Sequence, residues 1–321
     1  MRTLQLLRPP RLEPGDLIGL AAPASPLPQP ADLDRAVARL EALGFRILPA
    51  RHLLRRRGYL AGTDRERAAD LHQLARHRKV KAIVSLRGGY GCARLLQWFD
   101  PGLFRAHPKI VVGYSDLTAL HCALLTHARL VTFHGPMAVP DFARPNLPDF
   151  TLRSFLRLLT RSEPYGSVRD HCPAPAPRIL RPGRAVGPLL GGNLTVLVST
   201  LGTPWQPDFR GRVLLLEEVG EPPYRVDRLL TQLLNAGLLQ QVAGIAIGTC
   251  ERCEDPWAPT SSEPRPTLED VWKDRLGPLR KPVVIGLPFG HTPGNATLPL
   301  GVRAELDAKR GDLILLEPAV A

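Results

Sequence analysis

Three β-branched residues, Ile110, Val111 and Val112, stop at Gly113, and just beyond it Leu117, Leu120 and Leu124 recur at helical spacing. A strand that passes through one tight turn into a helix is half of a crossover unit, and crossover units build parallel sheets. That constrains the architecture more than any other feature of the chain. Ser115 and Asp116 occupy the turn itself. A hydroxyl held there stands above the carboxyl edge of a sheet, and the first free N–H groups of the helix point to where an oxyanion would form, the geometry of a nucleophile elbow. Serine and aspartate also favour the helix N-cap, so the stretch taken alone reads more readily as a plain helix start, and the two readings can coexist.

The same alternation runs upstream. Residues 17–22 read as a buried strand, and 32–43 as a helix with Leu33, Ala36, Val37, Leu40 and Leu43 on one face and Gly44 ending it. Residues 45–48 return as a strand. Thr63-Asp64-Arg65-Glu66 has the form of a capping box ahead of a helix through Ala68, Leu71 and Leu74, followed by an apolar strand at 82–86. With the elbow and a further strand at 130–133, residues 1–140 are expected to form a mostly parallel, flavodoxin- or Rossmann-like sheet covered by helices on both faces. Over 141–184 the pattern thins into prolines and arginines, with one amphipathic stretch around Phe155, Leu156 and Leu159, and reads as a linker. Residues 185–321 then read as a smaller α/β domain rich in short strands: 213–216, 245–247, 283–287, and a hairpin over 302–317 turning at Lys309-Arg310-Gly311-Asp312. Between two of these strands lies a helix over 226–234, with Leu229, Leu230, Leu233 and Leu234 inward and Gly237 just past its end. A polar, Pro-rich loop spans 256–266.

Length and charge bound the function. With 321 residues the chain can bury two cores of ordinary size. Its formal charge of +12 comes from 36 arginines and 6 lysines dispersed along the sequence, with dense runs only at 51–57 and 76–81. A distributed positive field fits the steering of an anionic small substrate at least as well as it fits nucleic acid, which usually meets a gathered basic face. No run of 18 apolar residues occurs, and the N-terminal stretch is broken by Arg8 too early for a secretory core, so the cytoplasm is the expected location. Five scattered cysteines suit reduced thiols. Cys250-Glu251-Arg252-Cys253 has the spacing of half a zinc site or a redox pair, but no second ligand pair matches it, which favours incidental cysteines and no metal.

A nucleophilic serine needs a base, and the base needs a group to hold it. His52, His72, His77, His121 and His127 lie in or beside helices or charged runs; His107, His134, His171 and His291 remain. His291 is the best placed, in a loop just past the buried strand 283–287, where sites in such sheets gather. For the carboxylate, Leu214-Leu215-Leu216-Glu217-Glu218 ends a leucine strand in acid, so Glu217 is either partly buried and paired or a solvated strand end, with Glu218 on the opposite face. Leu86-Arg87-Gly88-Gly89-Tyr90-Gly91 closes a strand with glycines that let backbone N–H groups approach an anion, as an oxyanion donor, a substrate contact or a phosphate cradle. The spacing fits no nucleotide motif. Gly191-Gly192-Asn193 invites the same readings, with Asn193 also a possible helix cap.

Taken in order, these pieces resemble the LD-carboxypeptidase family, the muramoyltetrapeptide carboxypeptidases. The resemblance rests on Pro14-Gly15-Asp16-Leu17-Ile18, Ala22-Pro23-Ala24-Ser25, Arg87 to Gly91, Gly113-Tyr114-Ser115-Asp116, Phe133-His134-Gly135-Pro136-Met137, Gly191 to Leu194, Leu216-Glu217-Glu218 with Pro223-Tyr224-Arg225-Val226-Asp227-Arg228, and Gly290-His291. It implies a serine peptidase with Ser115 as nucleophile, His291 as general base, Glu217 as its orienting carboxylate, and the N–H groups of Asp116 and Gly89 as oxyanion donors. It also implies a cofactor-free, homodimeric, cytoplasmic enzyme that releases the terminal D-alanine from murein tetrapeptides at an L,D-peptide bond during peptidoglycan recycling, with no nucleic-acid or membrane partner. Arg87, Gly88, Tyr90, Asn193 and Arg225 are the expected substrate contacts. Cys92 and Cys122 at positions of ordinary packing, and a long loop over 252–268, depart from the family pattern and bear on substrate preference. Two rivals stand beside this reading: an immunity-type hydrolase of a peptide-nucleotide antibiotic, and a non-enzymatic anion- or nucleic-acid-binding module.

Overall fold

The computed structural model describes residues 6–255 and 265–321, so most of the 256–266 loop and the first five residues of the N-terminal stretch lie outside the described residues. The first half alternates β1 (Leu17–Ala21), α1 (Pro30–Ala42), β2 (Arg46–Pro49), α2 (Asp64–Arg76), β3 (Val80–Ser85), α3 (Cys92–Leu95), α4 (Pro101–Ala106), β4 (Ile110–Gly113), α5 (Thr118–Ala123) and β5 (Thr132–His134). The capping box ahead of α2 is present with both of its reciprocal hydrogen bonds, between Thr63 and Glu66. Strands β1 to β5 are mutually parallel, in the order β5-β4-β3-β1-β2. Their faces carry almost unbroken apolar side chains: Ile18, Leu20, Ala82, Val84, Ile110 and Val112 belong to one buried cluster, Ile83 and Val111 to another. A sheet buried on both faces needs such continuous runs.

The chain continues through α6 (Asp149–Thr160), β6 (Gly166–Ser167), β7 (Arg178–Arg181), β8 (Arg184–Asn193), α7 (Leu194–Ser199), β9 (Val213–Val219), α8 (Pro223–Asn235), α9 (Leu238–Gln241), β10 (Gly244–Glu251), α10 (Leu268–Leu276), β11 (Val283–Gly290), β12 (Leu298–Leu300), β13 (Arg303–Asp307) and β14 (Asp312–Leu315). Eight of these strands form the second sheet, ordered β6-β14-β13-β8-β9-β10-β11-β7. Its centre, β8 to β11, is parallel, and antiparallel strands flank it on both sides. The expected hairpin is β13–β14, with Asp307 facing Asp312 across the turn. Helix α8 buries Val226, Leu230 and Leu233 against this sheet, while Leu229 and Leu234 are half-buried at the edge of the same cluster.

Two features depart from a linear reading. The stretch 141–184 carries α6, which buries Phe150, Phe155, Leu158 and Leu159, and also supplies β6 and β7 to the second sheet. Strand β12 leaves the second half and pairs antiparallel with β5, so Leu298 faces His134 and Leu300 faces Thr132 in the first sheet. One residue past β12, Gly301 adopts φ +93, and β13 then joins β8.

Candidate active site

Strand β4 ends at Gly113, where a Cβ would stand 3.3 Å from the Ser85 Cβ and still closer to Leu117, so only glycine lets the strand finish against its neighbours. Ser115, two residues on, has φ +65, a left-handed conformation that costs an L-residue roughly 1–2 kcal/mol. A tight 3₁₀ turn (Ser115–Leu117) then leads into α5, and no side chain caps it. Between nucleophile elbow and plain cap, the local geometry is that of the elbow. The Asp116 carboxylate points elsewhere, accepting the Cys92 N–H at 2.7 Å. Burial raises the pKa of Asp116, with the hydrogen bonds from Cys92 and the charge of Arg67 acting the other way.

The glycine loop lies directly on this serine. A Cβ on Gly88 would fall 2.9 Å from Ser115 Cβ, 3.0 Å from its Oγ and 3.6 Å from the Asp116 nitrogen. Gly89 takes φ +114, and a Cβ there would fall 2.6 Å from the Cβ of Ser25, whose hydroxyl accepts the Tyr90 N–H at 3.2 Å. The loop backbone therefore approaches Ser115 more closely than any residue with a side chain could.

Strand β9 carries Glu217 to the carboxyl end of the second sheet, fully buried. At the end of the next strand but one, Gly290 has φ +105, and a Cβ there would stand 2.9 Å from Glu217 Oε2, so glycine lets the chain turn over the carboxylate. The turn sets His291 Nδ1 2.6 Å from Glu217 Oε2. Because a carboxylate only accepts, Nδ1 carries the hydrogen and Nε2 faces the other way with its lone pair. The Tyr114 ring packs edge-on to the imidazole, with centroids 4.9 Å apart and planes at 75°. Burial pulls the His291 pKa down, but the hydrogen bond and charge of Glu217, with Glu218 and Asp141, outweigh it and raise the pKa above 6.5.

Ser115 and His291 line one cleft of about 240 Å³, together with Arg87, Gly88, Gly89, Tyr114, Met137, Val139 and Pro140. Serine, imidazole and buried carboxylate thus come from two different sheets. Tyr90 sits at the outer end of the glycine loop, half-exposed. Asn193 and Arg225 are not part of the cleft wall. The Asn193 side chain caps α7 through Val196 N–H at 3.0 Å and donates to Glu218 at 2.7 Å, while its own N–H donates to Thr118 Oγ1 at 3.0 Å and ties β8 to α5. Glu218 also accepts from Thr195, so the two acids at the end of β9 serve opposite faces. Arg225 lies on the exposed face of α8, paired with Glu221 at 3.2 Å.

Sequence reasoning missed Asp141. It is buried in the π-helical turn Ala138–Phe142, accepts the Met137 N–H at 2.8 Å and shares a hydrogen bond with the Tyr114 hydroxyl. Burial lifts its pKa to about 6, opposed by Met137, Arg144, Tyr114 and His291. The one available signal was an acid inside the otherwise apolar run Met137-Ala138-Val139-Pro140-Asp141-Phe142. Of the other histidines left open, His134 is buried behind Tyr114 with its pKa driven down to about 3 by burial, and His107 and His171 lie outside the cleft wall. The contact with Cys253, together with burial, pushes the Cys250 thiol up, and among the described residues no His/Cys/Asp/Glu group has the geometry to hold a metal. Nor, among them, is any helix long and apolar enough to cross a membrane.

A strained serine turn facing an imidazole whose far nitrogen is held by a buried carboxylate has the geometry that nucleophilic hydrolases use. Comparison with known proteins narrows the class. Residues 18–135 match the LD-carboxypeptidase N-terminal domain and residues 186–306 the LD-carboxypeptidase C-terminal domain. The chain is 39% identical over 300 residues to a probable murein peptide carboxypeptidase of Bacillus subtilis, covering 94% of this chain and 91% of that one. The crystal structure of muramoyltetrapeptide carboxypeptidase from Oxalobacter formigenes superposes with a TM-score of 0.82 at 34% identity, over 94% of this chain and 99% of the other. The structure of MccF in complex with glutamyl sulfamoyl guanosine superposes with a TM-score of 0.88 at 27% identity, over 98% and 100%. The chain belongs to the LD-carboxypeptidase family, and it is a peptidase.

Proposed function

We propose that the chain is a serine carboxypeptidase that cleaves an L,D-peptide bond to release the terminal D-alanine of murein tetrapeptides, as part of cytoplasmic peptidoglycan recycling. The observation that carries the reading is the His291–Glu217 bond of 2.6 Å behind a cleft that Ser115 shares. Ser115 is the nucleophile. His291 Nε2 takes its proton as Oγ attacks the scissile carbonyl, and Glu217 holds the imidazole in the required tautomer and stabilises the imidazolium. The N–H groups of Asp116 and Gly89 receive the oxyanion; the approach of Gly88 to both Ser115 and the Asp116 nitrogen supports this assignment. Collapse of the tetrahedral species transfers the proton from Nε2 to the departing amine, D-alanine leaves, and water repeats the sequence on the acyl-enzyme to restore Ser115. Arg87, in the cleft wall, is the side chain nearest at hand for a substrate carboxylate. Asp141, through Tyr114, helps fix the imidazole.

The test is incubation with defined muropeptides bearing diaminopimelate or lysine at the third position, read by mass spectrometry for loss of one alanine, with Ser115→Ala as the control. Retained turnover in Ser115→Ala would remove the mechanism. The likeness to MccF supports a second reading, hydrolysis of an aminoacyl or peptidyl nucleotide by the same three residues. Assay of both substrate types separates the two. Sizing chromatography tests the proposed homodimer.

A further inference from the structure

One buried cation has no part in the chemistry above. Arg67, in the first turn of α2, is only 1% exposed. A guanidinium taken out of water must find acceptors for its donors, and burying one for stability alone gains little over an apolar side chain of similar size. Here most of the donors go to backbone. Nη1 donates to the Gly91 carbonyl at 2.8 Å and to the Pro23 carbonyl, while Nη2 pairs with Asp64. Gly91 has φ +137, and a Cβ there would stand 2.6 Å from Nη1, so glycine is what lets the guanidinium reach that carbonyl.

The peptide it grips is held on its other side as well. The Gly91 carbonyl and the Cys92 N–H belong to one planar unit, and that N–H donates to the Asp116 carboxylate at 2.7 Å. Cation, peptide and carboxylate are thus joined in series, each polarising the next. At one end Asp116 carries the backbone N–H assigned to the oxyanion; at the other, Gly91 closes the loop whose Gly88 lies against Ser115. The Pro23 contact reaches the same loop by a second route. Two residues on, Ser25 donates its N–H to the Gly88 carbonyl at 3.4 Å and accepts the Tyr90 N–H at 3.2 Å. The geometry points to Arg67 as a positioning residue for the reaction, one that fixes the glycine loop and the serine elbow at a set spacing through the Gly91–Cys92 peptide. This rests on the serine-hydrolase reading above and adds to it a residue outside the cleft wall. The planar fork of a guanidinium holds two carbonyls in fixed directions, which an ammonium does not.

The experiment compares the wild type with Arg67→Met, Arg67→Lys and Thr63→Ala. The last removes the cap of the same helix and leaves the Arg67 contacts alone, so it measures what instability by itself does. Phosphonylation of Ser115 by a fluorophosphonate, with loss of fluoride, needs nucleophile, base and oxyanion donors but no particular peptide. Its second-order rate is read beside kcat and KM for D-alanine release, the pH profile and the melting temperature. Arg67→Met should lose roughly 10²-fold in labelling rate and in kcat, with KM within about twofold and the acidic limb of the pH profile in place. Arg67→Lys, which keeps the charge without the fork, should lose on the order of tenfold, whereas Thr63→Ala should stay within about twofold at a lower melting temperature. Labelling within about threefold of the wild type in a folded Arg67 variant, or an equal loss in Thr63→Ala, overturns the positioning role. Should Arg67→Met not fold, Arg67→Lys carries the comparison. If murein peptides are not cleaved while Ser115 is labelled, the carboxypeptidase reading fails and the labelling rates still decide the role of Arg67. A wild type that is not labelled removes the serine mechanism and this role with it.

Discussion

Replacing Glu217 by glutamine keeps the shape of the buried site and removes its charge. At 2.6 Å, with an effective dielectric of about 20, the attraction between Glu217 and an imidazolium is on the order of 6 kcal/mol. Desolvation offsets part of it, since Glu217 is fully buried and His291 largely so, but the balance still favours the charged histidine. The amide can also turn its NH₂ towards Nδ1, which stabilises the tautomer with the hydrogen on Nε2 and takes away the base. Together these should lower kcat by roughly 10³–10⁴-fold, the size of effect seen when a triad carboxylate becomes an amide. The pH profile moves as well. His291 must be neutral to accept a proton, so kcat/KM of the wild type should rise with pH through a pKa above 6.5, and in Glu217→Gln that limb should shift to lower pH as the raising influence is lost. Stopped assays of D-alanine release from pH 5 to 9 would measure both. If Glu217→Gln kept more than about a tenth of the activity and its acidic limb stayed where the wild type has it, the orienting role would be wrong.

Three further outcomes follow from individual residues. Ser115→Gly should abolish turnover yet raise stability by about 1 kcal/mol, because glycine relieves the φ of +65; a melting temperature that fails to rise would mean the turn stores no strain. Gly88→Ala introduces a methyl 2.9 Å from the Ser115 Cβ, so kcat/KM should fall roughly 10²-fold in a folded protein, and unchanged kinetics would show that the loop yields freely. The Asp141 carboxyl has a folded pKa of about 6 against 3.8 for the free group, so it binds its proton more tightly in the folded state. Its stabilising contribution is therefore complete below pH 3.8 and lost as pH rises through about 6, roughly 3 kcal/mol for a gap of that size. Asp141→Asn should flatten denaturant-measured stability across that window, and an unaltered pH slope would refute the assignment.

The residues that local pattern made legible are those whose neighbours in sequence are also their neighbours in space. Gly113 and Ser115 announce the elbow because strand, turn and helix are contiguous, and Thr63 with Glu66 announce α2 for the same reason. Glu217 was readable from the leucines of its own strand, and His291 from its place after β11. Tyr114 and Asp141 were not: their bond joins separate turns, and nothing near either residue records the partner. Asn193 was read as a cap or an anion contact, and the cap is what its side chain makes; its bond to Glu218 spans a gap that periodicity does not cross. Strand β12 escaped for a physical reason too, since three residues with Pro299 at the centre are too short to show alternation.

That short strand has a mechanical consequence. Leu298 to Leu300 is sewn into the sheet that bears Ser115, while the residues just before and after it belong to the sheet that bears Glu217 and His291. The halves of the candidate site are thus sutured together within a few residues, and they cannot swing apart like jaws unless that stitch is undone. Cleaving the chain between the sheets would leave the halves still gripping one another, and heat should melt them as a single body.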